Sequence, residues 1–277
     1  MGPGRAEDPA SMAARTSALL SLVLAGLVLG GCDDAFAPPP VDRAAVAAAT
    51  REIAAAPPTR ATPRTPEQDL AMLGRVAERT IRAAQPLCHA EFGRGCAFRV
   101  ALAPAREANA FAHGEDGITV TTGLMRLVAN EDELAAVVAH EIAHHLAGHI
   151  QEGTQRAHLG AAVGAVIGGA VTDLTGLDLG FARIGAQAGA KAAGLAFSKA
   201  QEREADYLGA HIAARAGYDL DRAGALWAKL THLSGDTATS WLDTHPAGPE
   251  RLAIWRRTAE EIARDPAAMP RRGGRVA

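Results

Sequence analysis

The spacing of apolar residues predicts a chain made mainly of helices, with order beginning near residue 65. Thr65-Pro66-Glu67 is typical of a helix start, because threonine caps helices and proline suits their first position. Apolar residues then recur at roughly helical spacing: Leu70, Leu73, Val76 and Ile81. Asn130, followed by acidic residues at 131–133, predicts the start of another helix. Two further helices fit residues 221–233 and 249–264.

Three short segments between these helices have the composition of β-strands. Residues 97–103 predict one strand, and residues 109–112 and 118–121 predict two more that flank the turn HGEDG. A turn of this kind joins neighbouring strands that run antiparallel. The expected fold class is therefore α+β and mainly α, with a small antiparallel sheet.

A glycine- and alanine-rich segment, residues 159–197, predicts a helical hairpin that turns near residues 173–180. Glycine recurs at every fourth position, which lets two helices approach closely; these residues are Gly160, Gly164 and Gly168. The apolar run 159–171 has 13 residues, fewer than the ~20 needed to span a bilayer. The alternative is a flexible or membrane-touching flap beside an active site. The second arm is expected to continue as far as Gly217, which would terminate it.

The first 31 residues predict an export signal that ends at a lipidated cysteine. Downstream of Met12, Arg15 precedes an apolar stretch, residues 17–29, of signal-peptide length. It ends in Leu29-Gly30-Gly31-Cys32, which resembles a bacterial lipobox, in which the cysteine carries lipid and becomes the mature N-terminus. An ordinary signal peptide with an incidental cysteine is the alternative. The protein is thus expected in the periplasm, anchored by lipid to the inner or outer membrane.

Composition sets the expected boundaries of the folded part. Residues 32–64 are rich in alanine and proline and are expected to form a tether, within which a helix over 43–55 is only weakly specified. The folded domain is expected over residues 65–264, followed by a disordered tail, residues 265–277. The formal net charge of −3 gives no reason to expect nucleic acid as a partner.

Cys88 and Cys96 flank the sequence HAEFGRG, which is expected to form a turn. Export would place both cysteines in a compartment that permits disulfides. A bridge between them is therefore expected, and two buried free thiols are the alternative.

An HExxH motif, His140-Glu141-Ile142-Ala143-His144, lies in an apolar helical segment. His140 and His144 are four residues apart, so both rings lie on one face of a helix and can bind one metal ion. Glu141 lies about 100° round the helix, close enough to reach a water on that metal without being a ligand. Zinc makes its bound water acidic, and a neighbouring carboxylate can carry the released proton to a leaving amine. The motif therefore predicts a zinc peptidase centre with Glu141 as its base.

A catalytic zinc usually has a third protein ligand, and the residues just after the motif do not supply one. The extended motif HExxHxxGxxH would need glycine at position 147 and histidine at position 150, where this chain has Ala147 and Ile150. On a continuous helix His149 would lie about 180° from His140 and would point away from the metal. His145 and His149 are therefore interpreted as groups that support the ligands, pack in the core or lie at the surface.

A later helical segment, SKAQEREADYLGA, offers the missing ligand. Glu202 and Asp206 are four residues apart and share a helix face. Glu202 would bind the zinc, and Asp206 would accept the ring N–H of a zinc-binding histidine. Glu204 would point elsewhere and is expected to be solvated or paired with an arginine.

The segments HEIAHH, EREAD and NAFAHGEDGITVTTGL together resemble the gluzincin metallopeptidases related to the CAAX prenyl endopeptidase, in particular the soluble periplasmic BepA-like and LoiP-like lipoprotein branch. The resemblance covers roughly residues 65–260. It implies a zincin-like fold that holds one Zn²⁺ per chain through His140, His144 and Glu202. It also implies a zinc-dependent endopeptidase that degrades unfolded or misassembled envelope proteins, as a form of quality control. A zinc-containing chaperone-like or scaffolding lipoprotein with little proteolysis is the alternative.

The resemblance also implies roles for residues outside the two motifs. In the family a strand at the rim of the cleft pairs with the peptide substrate through backbone hydrogen bonds, a form of β-augmentation. Here that strand corresponds either to residues 118–121 or to Asn109, Ala110, Phe111 and Ala112. His245 corresponds to a histidine that approaches the metal, which makes it a candidate fourth ligand or transition-state stabiliser. Arg251 is a candidate oxyanion-binding or structural group.

Overall fold

The computed structural model describes residues 35–56, 63–175, 180–194, 197–232, 245 and 248–273. The helices in these residues are α1 (Arg43–Ala55), α2 (Pro66–Phe92), α3 (Thr122–Leu127), α4 (Glu131–Leu146), α5 (His149–Thr175), α6 (Phe181–Gly194), α7 (Lys199–Arg215), α8 (Leu220–His232) and α9 (Pro249–Arg264). The strands are β1 (Arg99–Ala103), β2 (Ala110–His113) and β3 (Gly117–Thr121). The predicted class, mainly helical with a small sheet, is confirmed.

The sheet is mixed rather than antiparallel throughout. β2 pairs antiparallel with β3, as the HGEDG turn predicts, and β1 pairs parallel with β3 on its other side. The prediction of a purely antiparallel sheet is wrong because β3 inserts between the two earlier strands and runs in the direction of β1. β2 is thereby left at an edge of the sheet, with one row of backbone N–H and C=O groups facing away from β3.

Helix α4, which carries the HExxH motif, lies at the centre of the fold. Asn130 caps it by accepting a hydrogen bond from the Glu133 backbone N–H, and every residue from Asp132 to Leu146 is buried. α4 packs against α2, α7, α8 and the edge strand β2. Its polar side chains therefore lie inside the molecule, where each needs a partner or a bound ion.

Helices α5 and α6 form the predicted helical hairpin. Glycines face the opposite backbone across it: a Cβ on Gly164 would lie 1.9 Å from the Gly185 carbonyl oxygen, and one on Gly168 would lie 2.0 Å from that of Phe181. Such distances leave no room for a side chain, so the close packing of the two arms depends on these glycines. Among the residues that the structure describes, no helix combines the length and hydrophobicity needed to cross a membrane.

The prediction that the second arm runs unbroken to Gly217 is wrong. α6 ends at Gly194 and a separate helix, α7, begins at Lys199. Ser198 caps α7 by accepting from the Gln201 backbone N–H, and the Gln201 side chain accepts from the Ser198 N–H in return. This reciprocal capping box fixes a new helix start, which sets the direction of α7 independently of the hairpin.

Both ends of the described chain pack onto the domain, so the predicted boundaries need correction. Residues 35–56 are not a tether: α1 packs on α9, and the side chain of Phe36 is buried. Residues 265–273 are not a disordered tail, because Arg272 pairs with Phe36 in a β-bridge and the Arg271 N–H donates to the Tyr207 hydroxyl. Residues 1–34, which include the predicted signal peptide and Cys32, lie outside the described residues.

A disulfide joins Cys88 and Cys96, whose Cα atoms are 5.7 Å apart. Cys88 lies in the last turns of α2, and Cys96 precedes β1 by three residues. The bond therefore ties the end of α2 to the start of the sheet.

Candidate metal centre

The HExxH motif and the glutamate of the later helix come together in the core. α4 presents His140 and His144 from successive turns, with their Nε2 atoms 3.0 Å apart. α7 presents Glu202, whose carboxylate oxygens lie 3.5 Å from His140 Nε2 and 3.4 Å from His144 Nε2. The two helices approach closely because α7 has Gly209 where they meet; a Cβ there would lie 3.1 Å from the His140 backbone nitrogen. All three side chains are fully buried.

His245 lies in the same buried cluster. Its Nδ1 is 2.9 Å from Glu202 Oε1 and 3.3 Å from His140 Nε2. One ligand atom from each of His140, His144, Glu202 and His245 lies within 4.8 Å of all the others. Imidazole nitrogens and a carboxylate, in this number, are the donors that zinc prefers. The structure thus places the candidate fourth ligand beside the three ligands that the motifs predict.

Burial and neighbouring charges leave His144 and Glu202 in states that suit a bound cation, whereas His140 must lose a proton before its ring can bind one. Burial lowers the pKa of His144 well below its ordinary value, so its ring is neutral and holds a free electron pair. Burial also lowers the pKa of His140, but hydrogen bonds with Asp206 and Glu202 overcome it and raise the pKa to about 9. Glu202 stays ionised, since the charges of Arg251 and His245 outweigh its burial and lower its pKa. Buried donors converging on one point repel each other unless a cation lies among them, so the residues fit a divalent metal.

Asp206 and Arg251 contact the candidate ligands and help to fix their orientation. His140 Nδ1 lies 3.1 Å from Asp206 Oδ1, which leaves Nε2 directed at the cluster. Arg251 donates through Nε and Nη2 to both oxygens of Asp206, each at 2.7 Å, and its Nη1 is 2.6 Å from Glu202 Oε2. Its guanidinium also lies over the Trp227 ring, 5.0 Å from the ring centroid. Because Arg251 pairs with these two carboxylates, its position supports the structural role and not the oxyanion-binding one.

Glu141 lies beside the cluster without joining it. Its carboxylate is fully buried, and Oε1 is 3.7 Å from His245 Nε2. Neither oxygen has a side-chain hydrogen-bond partner within the described residues, and the Ala112 backbone N–H lies close enough to lower the pKa of the carboxyl group. Burial raises the pKa of Glu141, against the charges of His245 and His140. A buried carboxyl group with a raised pKa is suited to taking up and returning a proton.

The predicted direction of the His149 ring and the predicted surroundings of Glu204 are wrong, whereas the contact of His149 with His144 agrees with a supporting role. α4 does not continue through His149, because Gly148 adopts a left-handed φ of 80° and turns the chain. The turn brings His149 Nδ1 within 2.9 Å of His144 Nδ1, so the ring faces a ligand rather than away from the site. Glu204 is buried instead of solvated, with Oε2 3.1 Å from His149 Nε2 and Oε1 accepting from the Phe36 N–H at 2.7 Å.

Glu204 and Phe36 were therefore missed as supports of the site. One sequence signal was available: Gly148 follows the helical run directly, and glycine at that position commonly ends a helix. Glu204 lies about 200° round α7 from Glu202, and nothing in the local pattern shows that this face is buried too. The contact with Phe36 joins residues far apart in the chain, which no periodicity can reveal.

The edge strand β2 is the stronger of the two candidates for pairing with a peptide. β3, with residues 118–121, is bonded on both sides and has no free backbone edge. β2 packs against α4, and its residue Phe111 is 39% exposed. The side chain of Ala110 is buried against the core, which fixes the strand in place, and no described strand pairs with its outer edge.

The fold and the site define a metallopeptidase, with a candidate metal centre built from an HExxH helix and a glutamate of a later helix. Residues 74–259 match Peptidase family M48. This match covers about two thirds of the chain, and the chain belongs to that family. Membership confirms the prediction of a metallopeptidase and the general form of the resemblance.

One relative with a named activity is similar to a part of this chain. The chain is 43% identical over 60 residues to the mitochondrial metalloendopeptidase OMA1 of Arabidopsis thaliana. The match covers 22% of this chain and 12% of that protein. It therefore supports the class of activity, and the substrates and partners are left to the proposals below.

Proposed function

We propose that the chain is a zinc-dependent endopeptidase of the bacterial cell envelope, of the BepA-like and LoiP-like lipoprotein branch. The observation that carries the proposal is the buried set His140, His144 and Glu202 with Glu141 beside it. Two histidines and a glutamate are a known ligand set for catalytic zinc. The family match and the OMA1 relative support the same chemistry.

The chain's own residues supply the proton transfers of peptide hydrolysis. His140, His144 and Glu202 would hold the ion, which when bound polarises a peptide carbonyl and makes the attacking water acidic. Glu141 would accept the proton of that water and pass it to the leaving amine nitrogen. Because burial raises its pKa, Glu141 retains that proton near neutral pH more readily than an exposed carboxylate would.

The open edge of β2 supports unfolded or misassembled envelope proteins as substrates. An extended chain can add to a free strand edge through backbone hydrogen bonds, whereas a folded protein has few strands free to do so. The test compares zinc-dependent cleavage of one protein in its folded form and in a permanently unfolded form. The proposal expects the unfolded form to be cleaved much faster. Equal rates would remove the quality-control role and leave the peptidase activity intact.

The position of His245 favours a second candidate function, a zinc-containing scaffolding lipoprotein with little proteolysis. Its ring lies within the ligand cluster, where a fourth permanent ligand would close the open position that catalysis needs. His245→Ala separates the two roles when zinc content and cleavage are measured together. Faster cleavage with zinc retained supports a gate over an active centre, whereas loss of zinc supports a closed structural site.

The lipid anchor at Cys32 and the periplasmic location are part of the same proposal and rest on the lipobox-like sequence. Cys32→Ala is expected to release the protein from the membrane or to block its maturation. Unchanged membrane association of that variant would contradict the anchor.

A further inference from the structure

The two histidines of the motif are supported from different parts of the molecule. His140 is supported within the helical core, by Asp206 of α7, which Arg251 of α9 holds in turn. His144 is supported by a series of contacts that leaves the core. The series runs from His144 to His149, then to Glu204, and ends at the backbone of Phe36 near the N-terminal end of the described chain.

With Glu204 ionised and His149 neutral, each hydrogen bond in this series has one possible direction. Glu204 Oε2 can only accept when ionised, so His149 Nε2 carries a hydrogen and donates to it across 3.1 Å. A neutral imidazole has one donor and one acceptor, so His149 Nδ1 accepts from His144 Nδ1 across 2.9 Å. His144 then has its free electron pair on Nε2, the atom that faces Glu202 and His140.

Phe36, the last residue of this series, is held in place by pairing between the N-terminal and C-terminal segments of the described chain. Phe36 is buried, and its N–H donates to Glu204 Oε1 at 2.7 Å. The Ala37 N–H donates to the Arg271 carbonyl at 2.9 Å, and the Gly273 N–H donates to the Ala35 carbonyl at 3.0 Å. We call residues 35–37, paired in this way with residues 271–273, the terminal clamp.

The terminal clamp also has side-chain contacts that fix its place. The guanidinium of Arg272 lies over the Phe36 ring, 5.1 Å from the ring centroid, and also pairs with Glu91 at the end of α2. The Arg271 N–H donates to the hydroxyl of Tyr207, which lies on α7 three residues after Glu204. The clamp is thus attached to the helix that carries the glutamate ligand.

We propose that Glu204 and His149 are positioning residues for the metal ligand His144, and that the terminal clamp holds them in place. The proposal rests on zinc as the bound metal. Supports of this kind select the tautomer of a ligand histidine and fix its ring, and their loss commonly weakens metal binding by about 10–100-fold. Metal affinity in this protein therefore depends on residues 35–37, which lie more than 100 residues before the first ligand.

The first test changes Glu204 to glutamine in the full chain. An amide of this shape has one accepting oxygen and one donating nitrogen, so it cannot accept from both the His149 ring and the Phe36 N–H. Zinc affinity is measured by competition with a chromophoric chelator, and ligand geometry by the absorption spectrum of the cobalt-substituted protein. Glu250→Gln is the matched control, since Glu250 also pairs with a residue of α7, Arg203, and its side chain is 47% exposed.

The proposal expects Glu204→Gln to bind zinc about tenfold or more weakly, with a changed cobalt spectrum, while Glu250→Gln stays within twofold of wild type. Zinc affinity of Glu204→Gln within twofold of wild type would overturn the positioning role. A wild-type protein that binds no zinc would instead overturn the proposed function, so the two failures are distinguishable.

The second test addresses the terminal clamp through Phe36→Ala, which removes the buried ring and leaves the backbone N–H. Ile262→Ala is its control, because it also empties a buried apolar site and lies outside the series of contacts. Weaker zinc binding by Phe36→Ala alone supports the clamp. Equal zinc affinity in both variants would overturn that part of the proposal. Should Phe36→Ala fail to fold, Arg272→Ala at the clamp surface replaces it, judged by the same criterion.

Discussion

At the scale of single residues, two adjacent ligands experience opposite electrostatic environments. His140 faces the carboxylate of Asp206, and its pKa rises to about 9 despite burial. His144 faces the ring of His149, and burial lowers its pKa well below the ordinary value. A proton can therefore occupy His140 in the metal-free protein while His144 keeps a free electron pair. Binding of a cation by both histidines therefore releases a proton from His140.

A pH-dependent loss of stability is predicted for His211 on α7. Burial, with Arg215 and Arg271 nearby, lowers its pKa from 6.5 to about 4. Between these two values the unfolded chain binds a proton that the folded protein does not, so stability falls as pH falls from 6.5 towards 4. The expected loss is on the order of 3 kcal/mol across that window.

Chemical denaturation of wild type and His211→Phe at a series of pH values checks this prediction. The variant, which has no titrating ring, is expected to show a flatter dependence of unfolding free energy on pH in that window. Identical slopes for the two proteins would show that His211 does not carry the effect.

Residue spacing was enough to find the centre of the site but not its surroundings. His140, Glu141 and His144 follow from one motif, and Glu202 and Asp206 follow from a four-residue spacing on a helix. The position of the His149 ring could not be predicted in this way, because the interpretation assumed that the helix continued through Gly148. The positive φ of that glycine turns the chain and reverses the direction of the ring.

At the scale of helices and strands, the glycine-rich hairpin gives a prediction with an internal control. A Cβ on Gly164 would lie 1.9 Å from a backbone oxygen of α6, whereas one on Gly169 would meet nothing within 4 Å. Gly164→Ala is expected to destabilise the hairpin by about 1–3 kcal/mol through overpacking. Gly169→Ala is expected to stabilise it by about 0.5–1 kcal/mol, because alanine favours the helix.

Hydrogen exchange of the backbone amides in α5 and α6 measures both effects. Faster exchange in Gly164→Ala and slower exchange in Gly169→Ala are the expected results. A shift of both variants in the same direction would mean that the facing backbones do not set the hairpin's stability.

The edge strand gives a second prediction at this scale. The Thr121 N–H donates to the Asn109 carbonyl, so alternation along the antiparallel pair directs the N–H of Ala112 away from β3. Ala112→Pro removes that donor at an edge, where proline is tolerated. Loss of one hydrogen bond to substrate corresponds to about a fivefold to tenfold fall in kcat/KM for an unfolded protein. The Ala112 N–H also acts on Glu141, so cleavage of a peptide too short to pair with β2 is a control beside zinc content and the unfolding temperature. Unchanged kcat/KM for the unfolded protein would argue against peptide pairing on β2.

Local patterns predicted the elements better than they predicted how the elements pair. Apolar spacing and caps located α2, α4 and the hairpin, since each depends on residues close in sequence. The place of β1 beside β3 depends on how the loop at 104–109 crosses the sheet. That choice belongs to tertiary packing, and alternation within a strand carries no information about it.

At the scale of the whole molecule, the two ends of the described chain pair with each other. The alanine- and proline-rich composition indicated a tether, yet Phe36 is buried and residues 35–37 pair with residues 271–273. Phe36 is a single aromatic residue in a segment of small residues, and its burial docks the segment on the domain. The average composition of the segment does not show the effect of one residue. Only three residues separate Cys32 from Phe36. A lipid on Cys32 would therefore leave at most about 14 Å of chain between the lipidated residue and Phe36.

The central claim is that Glu141, beside the ligands His140, His144 and Glu202, makes this protein a zinc-dependent endopeptidase. The most direct measurement is the zinc content and the rate of cleavage of an unfolded protein, for wild type, Glu141→Gln and the surface control Glu250→Gln. The account predicts one zinc per chain in all three proteins. It predicts cleavage by wild type and the control, and a fall of about 10²–10⁴-fold in Glu141→Gln. Cleavage by Glu141→Gln at the wild-type rate, or wild-type cleavage that resists a zinc chelator, would contradict it.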